Sequence, residues 1–283
     1  MKKFTLGSAQ FGLDYGIANE DGKLPEFGVQ NILSFSQKHG VTHFDTSEAY
    51  GNAEELLMKF IDARQKYRIT TKFTGSSAGL QKSIFRSLSN FSTSECISLL
   101  FHSPNVLEEK KQLLEMVKSC DIPEKIKIGF SLYTIEELET LFKLKVPFKV
   151  LQIPYSLFDQ RFTDYFEQLK SQGVEIQVRS VFLQGLPFKN DEFINYKFGE
   201  LAQSIIKFKK YCTDKGLDPA ELLLLFPFLN ESIDSVVIGI NNCEQLDKNI
   251  KSLLNVNKFK NEIFSIKEKF LIKSEKVLLP YNW

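Results

Sequence analysis

The feature that most constrains this chain is a regular alternation. Eight short apolar runs of β type fall at residues 4–8, 41–45, 68–73, 96–102, 125–131, 148–153, 174–179 and 235–238. Between and after them lie segments with helical periodicity, at 29–38, 53–63, 80–88, 107–119, 134–144, 162–171, 201–211 and 244–253. Gly40 is placed to stop the first helix. Thr134-Ile135-Glu136-Glu137 is a capping box. Residues 222–226 read as a further helical turn stopped by Pro227, and the lysine-rich stretch 257–273 as an extra terminal helix. Strand–helix alternation implies parallel strands joined by helical crossovers. A doubly wound open sheet meets that requirement too. The count of eight, and the lack of G-x-G-x-x-G after the first run, favour a closed (β/α)8 TIM barrel. Such a barrel needs about 250 residues. We therefore expect the 283 residues to form one α/β domain over 1–283 with an extra C-terminal helix.

Composition excludes several function classes. Lys+Arg is 36 and Asp+Glu is 35, so no global field favours nucleic acid or an anionic membrane. The longest apolar stretch, 222–229, is too short to cross a bilayer. Lys2 and Lys3 are followed by Gln10 and Asp14 with no sustained apolar run, which argues against a signal peptide. The four cysteines are scattered, as in a cytoplasmic protein with reduced thiols. Three histidines without paired spacing suggest no metal site.

In a barrel of this class the site sits at the carboxyl ends of the strands. Those ends carry Ser8 and Gln10, Asp45, Lys72, His102, Ser131, Gln152, Arg179 and Gly239. Asp45, Lys72 and His102 close three consecutive strands, which lie about 4.8 Å apart. They should converge, and Tyr50, five residues beyond Asp45, can fold over them. The set suits proton transfer. A free tyrosine, with a pKa near 10, is a poor donor at neutral pH, and a neighbouring lysine ammonium is expected to lower that value. Asp45 would hold the lysine, and His102 could donate to a carbonyl oxygen. Each residue alone has a bland reading: a loop cap, a strand-end ion pair, a satisfied loop histidine, a packed ring. Together they favour function. Phe11, Tyr15 and Phe101 are expected on the substrate side.

These residues carry a resemblance. Phe44-Asp45-Thr46-Ser47-Glu48-Ala49-Tyr50-Gly51, Ile69-Thr70-Thr71-Lys72 and Leu100-Phe101-His102-Ser103-Pro104 resemble the signatures of the aldo-keto reductase family, short bacterial branch. The likeness runs from Leu6-Gly7-Ser8-Ala9-Gln10-Phe11-Gly12 to Ile238-Gly239. It implies a nicotinamide-dependent oxidoreductase that reduces an aldehyde or ketone, with Asp45, Tyr50, Lys72 and His102 as catalytic residues. It also implies carboxamide contacts from Ser131 and Gln152, and a pyrophosphate loop at Ser180, Phe182, Gln184 and Gly185. The adenosine end would lie at Gly239, Asn241, Gln245 and Asn249. The sequence departs from the family at Leu132, where asparagine is common, and at Arg179, which replaces a stacking aromatic. The basic residues that often grip a 2′-phosphate are missing from 239–245. We expect NADP(H), with NAD(H) as the alternative, and a small-molecule carbonyl partner. Two rival classes stay open: a non-catalytic cofactor-binding subunit, and a barrel isomerase or epimerase using Tyr50 and Lys72 without net redox change.

Overall fold

A computed structural model describes residues 3–74, 79–102, 117–118 and 120–283. The expected helix at 107–119 falls almost wholly outside the described residues, as do Ser103 and Pro104. Eight strands close into a barrel in sequence order: β1 Phe4–Gly7, β2 His43–Asp45, β3 Arg68–Phe73, β4 Cys96–Phe101, β5 Ile126–Ser131, β6 Val150–Pro154, β7 Glu175–Arg179 and β8 Ser235–Gly239. Every neighbouring pair is parallel, including the β1–β8 closure. The (β/α)8 barrel expected from the alternation is the fold observed. The apolar core lies between the strands and the surrounding helices, with Phe4, Leu6, Phe44, Ile69, Ile97, Ile128, Ile176 and Val178 almost fully buried.

The barrel interior is unusual. In most such barrels, bulky branched side chains fill the lumen. Here β7 alternates polar Glu175, Gln177 and Arg179 with apolar Ile176 and Val178. β3 alternates Arg68, Thr70 and Lys72 with Ile69, Thr71 and Phe73. β3 and β7 stand on opposite sides of the barrel. Two hydrogen bonds nevertheless join them: Thr70 Oγ1 to Gln177 Oε1 at 3.1 Å, and Arg68 Nη2 to Glu175 Oε2 at 2.8 Å. The polar sets of both strands therefore face the lumen and satisfy each other there, as buried polar groups must. Lys127 also donates to Glu175 Oε2, at 2.9 Å. Burial pushes the Glu175 carboxyl up, but Lys127, Arg68 and the Gln177 amide outweigh it and hold the group at about 2.

Several helices differ from the sequence reading. The helix expected at 201–211 is the second half of a longer one, Asp191–Lys215, broken at Gly199, where φ is +48°. The turn expected to stop at Pro227 is a helix, Pro219–Phe228, that passes through it. Asp218 caps that helix through Ala220 N–H, and Pro219 opens it, where a missing N–H costs nothing. The capping box at Thr134 and Glu137 is present and starts Ile135–Leu144. The single terminal helix expected at 257–273 is instead a short 3-10 turn, Val256–Phe259, and a helix, Lys260–Ile266. Beyond Ile266 the chain leaves the helix to bury Phe270 and Ile272, and Ile272 N–H donates to the Phe158 carbonyl at 2.9 Å. A separate turn, Glu275–Leu278, follows.

Candidate active site

Tyr50 is placed by backbone contact between two glycines. A Cβ on Gly12 would stand 1.7 Å from the Tyr50 carbonyl oxygen. A Cβ on Gly51, whose φ is +54°, would stand 2.5 Å from the Gly12 carbonyl oxygen. Only paired glycines let the loop after β2 lie directly on the one-turn helix Ala9–Gly12 that follows β1. The loop's own bonds fix the rest: Thr46 N–H to Thr70 O at 2.8 Å and Glu48 N–H to Lys72 O at 3.0 Å.

The structure brings Asp45, Tyr50, Lys72 and His102 together. Lys72 is 1% exposed and donates to Asp45 Oδ1 at 2.7 Å, to the Thr46 carbonyl at 2.8 Å and towards Tyr50 Oη at 3.5 Å. His102 follows β4 and meets the Tyr50 ring edge-on, with centroids 5.8 Å apart. Burial, then the Asp45 carboxylate, holds the Tyr50 phenol well above its ordinary value, while Arg179 pulls the other way. This reverses the expectation that Lys72 lowers it. Burial likewise lowers Lys72, opposed by Asp45. Burial, Lys72 and Arg179 push His102 down to about 3, so it is neutral at ordinary pH.

A cavity of about 370 Å³ opens at this end of the barrel. Asp45, Tyr50 and Tyr15 line it, as do Arg179, Ser180, Phe182, Gln184, Gly185, Gly239, Asn241, Gln245 and Asn249. Ser131 and Gln152, expected against a nicotinamide, do not. They are 1% and 0% exposed and lie behind Asp45, where Gln152 Nε2 donates to Asp45 Oδ2 at 2.7 Å and Ser131 Oγ donates to Gln152 Oε1 at 3.4 Å. Phe11 and Phe101, expected on the substrate side, do not line the cavity either. Phe11 is fully buried in the core, and Phe101 packs between Phe73 and Phe130 at 4.4 and 4.8 Å. Tyr15 is 39% exposed as a residue, yet desolvation pushes its hydroxyl up to about 12.

The cavity is suited to a polar ligand. Ser8 Oγ, Gln10 Oε1 and Asn241 Oδ1 are buried, belong to cavity-lining residues and have no partner among the described residues. Buried polar atoms ordinarily have partners, and these three unpaired ones all belong to residues that line one cavity. Gln184 and Gly185 take left-handed backbone angles, φ +56° and +84°. At the far end, Asn242 caps the helix Cys243–Leu254 through Gln245 N–H, and Lys248 in its second turn pairs with Asp218 at 2.7 Å. A second segment roofs the cavity. Ala18 N–H donates to the Gln184 carbonyl at 3.2 Å, and a Cβ on Gly185 would lie 2.4 Å from the Ala18 Cβ.

The sequence profile of the Aldo/keto reductase family matches residues 3–270. The chain belongs to the aldo/keto reductase family. No curated protein matches it in sequence. Among solved structures, it is similar to an aldo-keto reductase from Bacillus halodurans in its holo form, at 17% identity and TM-score 0.75 over 96% of this chain and 94% of that one. It is also similar to a protein from Pseudomonas aeruginosa described as an aldo-keto reductase, at 19% identity and TM-score 0.62 over 90% of each chain. At these identities the likeness is one of fold. For a member of this family, three features went unread in the sequence: Ser47 beside His102, Gln177 behind Gln152, and the roof formed by Gly16, Ala18 and Asn19. The alternation Glu175-x-Gln177-x-Arg179 was the available signal for the second. Among the described residues no cluster of three His, Cys, Asp or Glu could hold a metal, and no helix is long and apolar enough to cross a membrane.

Proposed function

We propose that this reductase uses a nicotinamide cofactor to reduce an aldehyde or ketone to an alcohol, with Tyr50 as the proton donor. The observation that carries the reading is the series Asp45–Lys72–Tyr50, bonded in line, whose two ends line a cavity. Bound there, the reduced cofactor would supply a hydride to the carbonyl carbon and be oxidised. The chain supplies the rest. As the carbon–oxygen π bond becomes a C–H and an O–H bond, the Tyr50 phenol gives its proton to the oxygen. Lys72, held by Asp45 and Thr46 O, donates towards the tyrosine oxygen and stabilises the phenolate that remains. His102, neutral, can donate a hydrogen bond to the carbonyl oxygen from its second ring nitrogen. Arg179 would meet the nicotinamide end, Ser180 to Gly185 the pyrophosphate, and Gly239, Asn241, Gln245 and Asn249 the adenosine.

The phosphorylated cofactor is the preferred reading, with NAD(H) as the alternative. Lys248 lines the cavity at the adenosine end, whereas Glu244, which would repel a 2′-phosphate, does not. The test is NADPH consumption by the purified chain against a panel of aldehydes, with Tyr50→Phe as control. Cofactor binding with no turnover on any aldehyde would point instead to a non-catalytic subunit. Turnover without net redox change would point to an isomerase.

A further inference from the structure

We propose that Arg179 recognises an oxoanion carried by the substrate, so that the reductase acts on carbonyl compounds bearing a carboxylate or a phosphate. The inference rests on the reading of the chain as a carbonyl reductase and names its substrate class.

Arg179 ends β7 and lines the same cavity as Asp45 and Tyr50. Its guanidinium is held in place. Nη2 donates to the Leu132 carbonyl at 2.9 Å and Nη1 to Ser180 Oγ at 3.2 Å. The Tyr133 ring lies 4.1 Å from Cζ, and Tyr133 is itself braced by Tyr281 at 6.0 Å. Two of the five N–H donors are thus committed, and the others meet no partner among the described residues. A rigid fork with free donors suits bidentate capture of a carboxylate or phosphate, and little ordering entropy remains to be lost.

Charge points the same way. Lys72, the other cation at this end of the cavity, is neutralised by Asp45 at 2.7 Å. Arg179 takes part in no ion pair among the described residues. With Tyr15, Tyr50 and His102 neutral, the mouth keeps one unbalanced positive charge among the described residues. Its field reaches the reacting groups, pulling Tyr50 down and helping to push His102 down. A partly enclosed charge without a counter-ion is unfavourable until a ligand supplies one. The nicotinamide cannot do so: its ring is neutral when reduced and cationic when oxidised. A substrate oxoanion can.

The experiment uses the full chain with NADPH and two matched pairs of aldehydes. Para-carboxybenzaldehyde against para-tolualdehyde tests a carboxylate, and glyceraldehyde phosphate against glyceraldehyde tests a phosphate. In one pair or both, the anionic member should win by about 10²-fold in kcat/KM, chiefly through KM, the scale of one or two charge-assisted bonds. The pair with the larger ratio identifies the oxoanion. In Arg179→Gln that ratio should fall to roughly threefold or less, and Arg179→Lys should restore part of it. Wild-type ratios near unity in both pairs overturn the proposal, as does a preference that survives Arg179→Gln. So does a variant whose whole effect lies in the NADPH dissociation constant, which would assign Arg179 to the cofactor's pyrophosphate. If no aldehyde is reduced, the carbonyl-reductase reading fails by itself. Calorimetric titration with para-carboxybenzyl and para-methylbenzyl alcohols then decides the subsite: tighter carboxylate binding lost in Arg179→Gln supports it, and equal binding overturns it.

Discussion

Ser47 Oγ stands 3.0 Å from His102 Nδ1 and 3.2 Å from the Lys72 carbonyl oxygen. The hydroxyl has one proton, so it can donate to only one of them. Donation to Nδ1 puts the histidine proton on the other nitrogen, where it can bond a carbonyl oxygen. Donation to Lys72 O would put it on Nδ1 and leave the wrong nitrogen bare. With His102 held at about 3, only its two neutral tautomers compete at working pH. We expect nitrogen NMR of the ring, easily assigned among three histidines, to show an Nε2-protonated, pH-independent His102. Ser47→Ala should mix the tautomers and lower kcat/KM about tenfold, one neutral hydrogen bond's worth. An Nδ1-protonated wild type would refute the assignment. The sign for stability also follows: the unfolded chain accepts a proton near 6.5 that folded His102 refuses, so stability declines as pH falls from there towards 3.

Tyr50→Phe should lower turnover by about 10²-fold or more, the scale of a lost general acid. A general acid works while protonated. Burial and Asp45 raise the Tyr50 value, so the rate of reduction should hold through neutral pH and fall only in strong alkali. A tyrosine limb near neutrality in the pH–rate profile would show that the bound ligands undo this shift.

Gln177 joins the two ends of the barrel. Its Oε1 accepts from Gln152 Nε2 at 3.3 Å and from Thr70, while its Nε2 donates to Glu175 Oε1 at 3.1 Å. Carboxylates at both ends dictate which way the two amides point, and Gln152 in turn holds Asp45. Gln177→Leu leaves several buried groups unpaired and should cost about 1–3 kcal/mol, read as a lower midpoint in urea. Because it also frees Gln152 and with it Asp45, kcat should fall several-fold while NADPH affinity stays near wild type. A normal kcat in a destabilised variant would reduce Gln177 to a structural role.

Lys248 lines the cavity at the end proposed for adenosine, and Asp218 pairs with it. Asp218→Asn should tighten NADPH relative to NADH, and Lys248→Ala should do the reverse. Each shift should be roughly tenfold, about 1.4 kcal/mol. Paired dissociation constants at one salt concentration check both. Equal effects on the two nucleotides would place the 2′-phosphate elsewhere.

The barrel was legible because each strand–helix unit carries local punctuation. β3 matches its sequence boundaries to the residue, and Thr134 caps its helix as its spacing predicts. Asp45, Tyr50, Lys72 and His102 were legible as a group because they fall at or just beyond consecutive strand ends. The lumen network was not. Asp45–Gln152, Thr70–Gln177 and Arg68–Glu175 each join positions 107 apart, and local pattern does not reveal which side chains meet across a closed sheet. Phe11 and Phe101, expected on the substrate side, are buried and do not line the cavity, because a ring near a strand end packs equally well into a core or a pocket wall. The break at Gly199 was missed because a helix can resume beyond one non-helical residue.

The Ala18–Gln184 contact that covers the cavity bears on how a cofactor would enter and leave it. A dinucleotide bound beneath Ala18 and Gln184 would have to pass the hydrogen bond between them, with the Lys189–Glu20 pair nearby. The cofactor would then be first to arrive and last to depart, with the carbonyl compound passing in and out while the nucleotide stays. Loop openings of this kind run on microseconds to milliseconds and often outlast the chemistry. In such an enzyme, turnover measures how often a door opens, and a loosened roof would speed the cycle while weakening the grip.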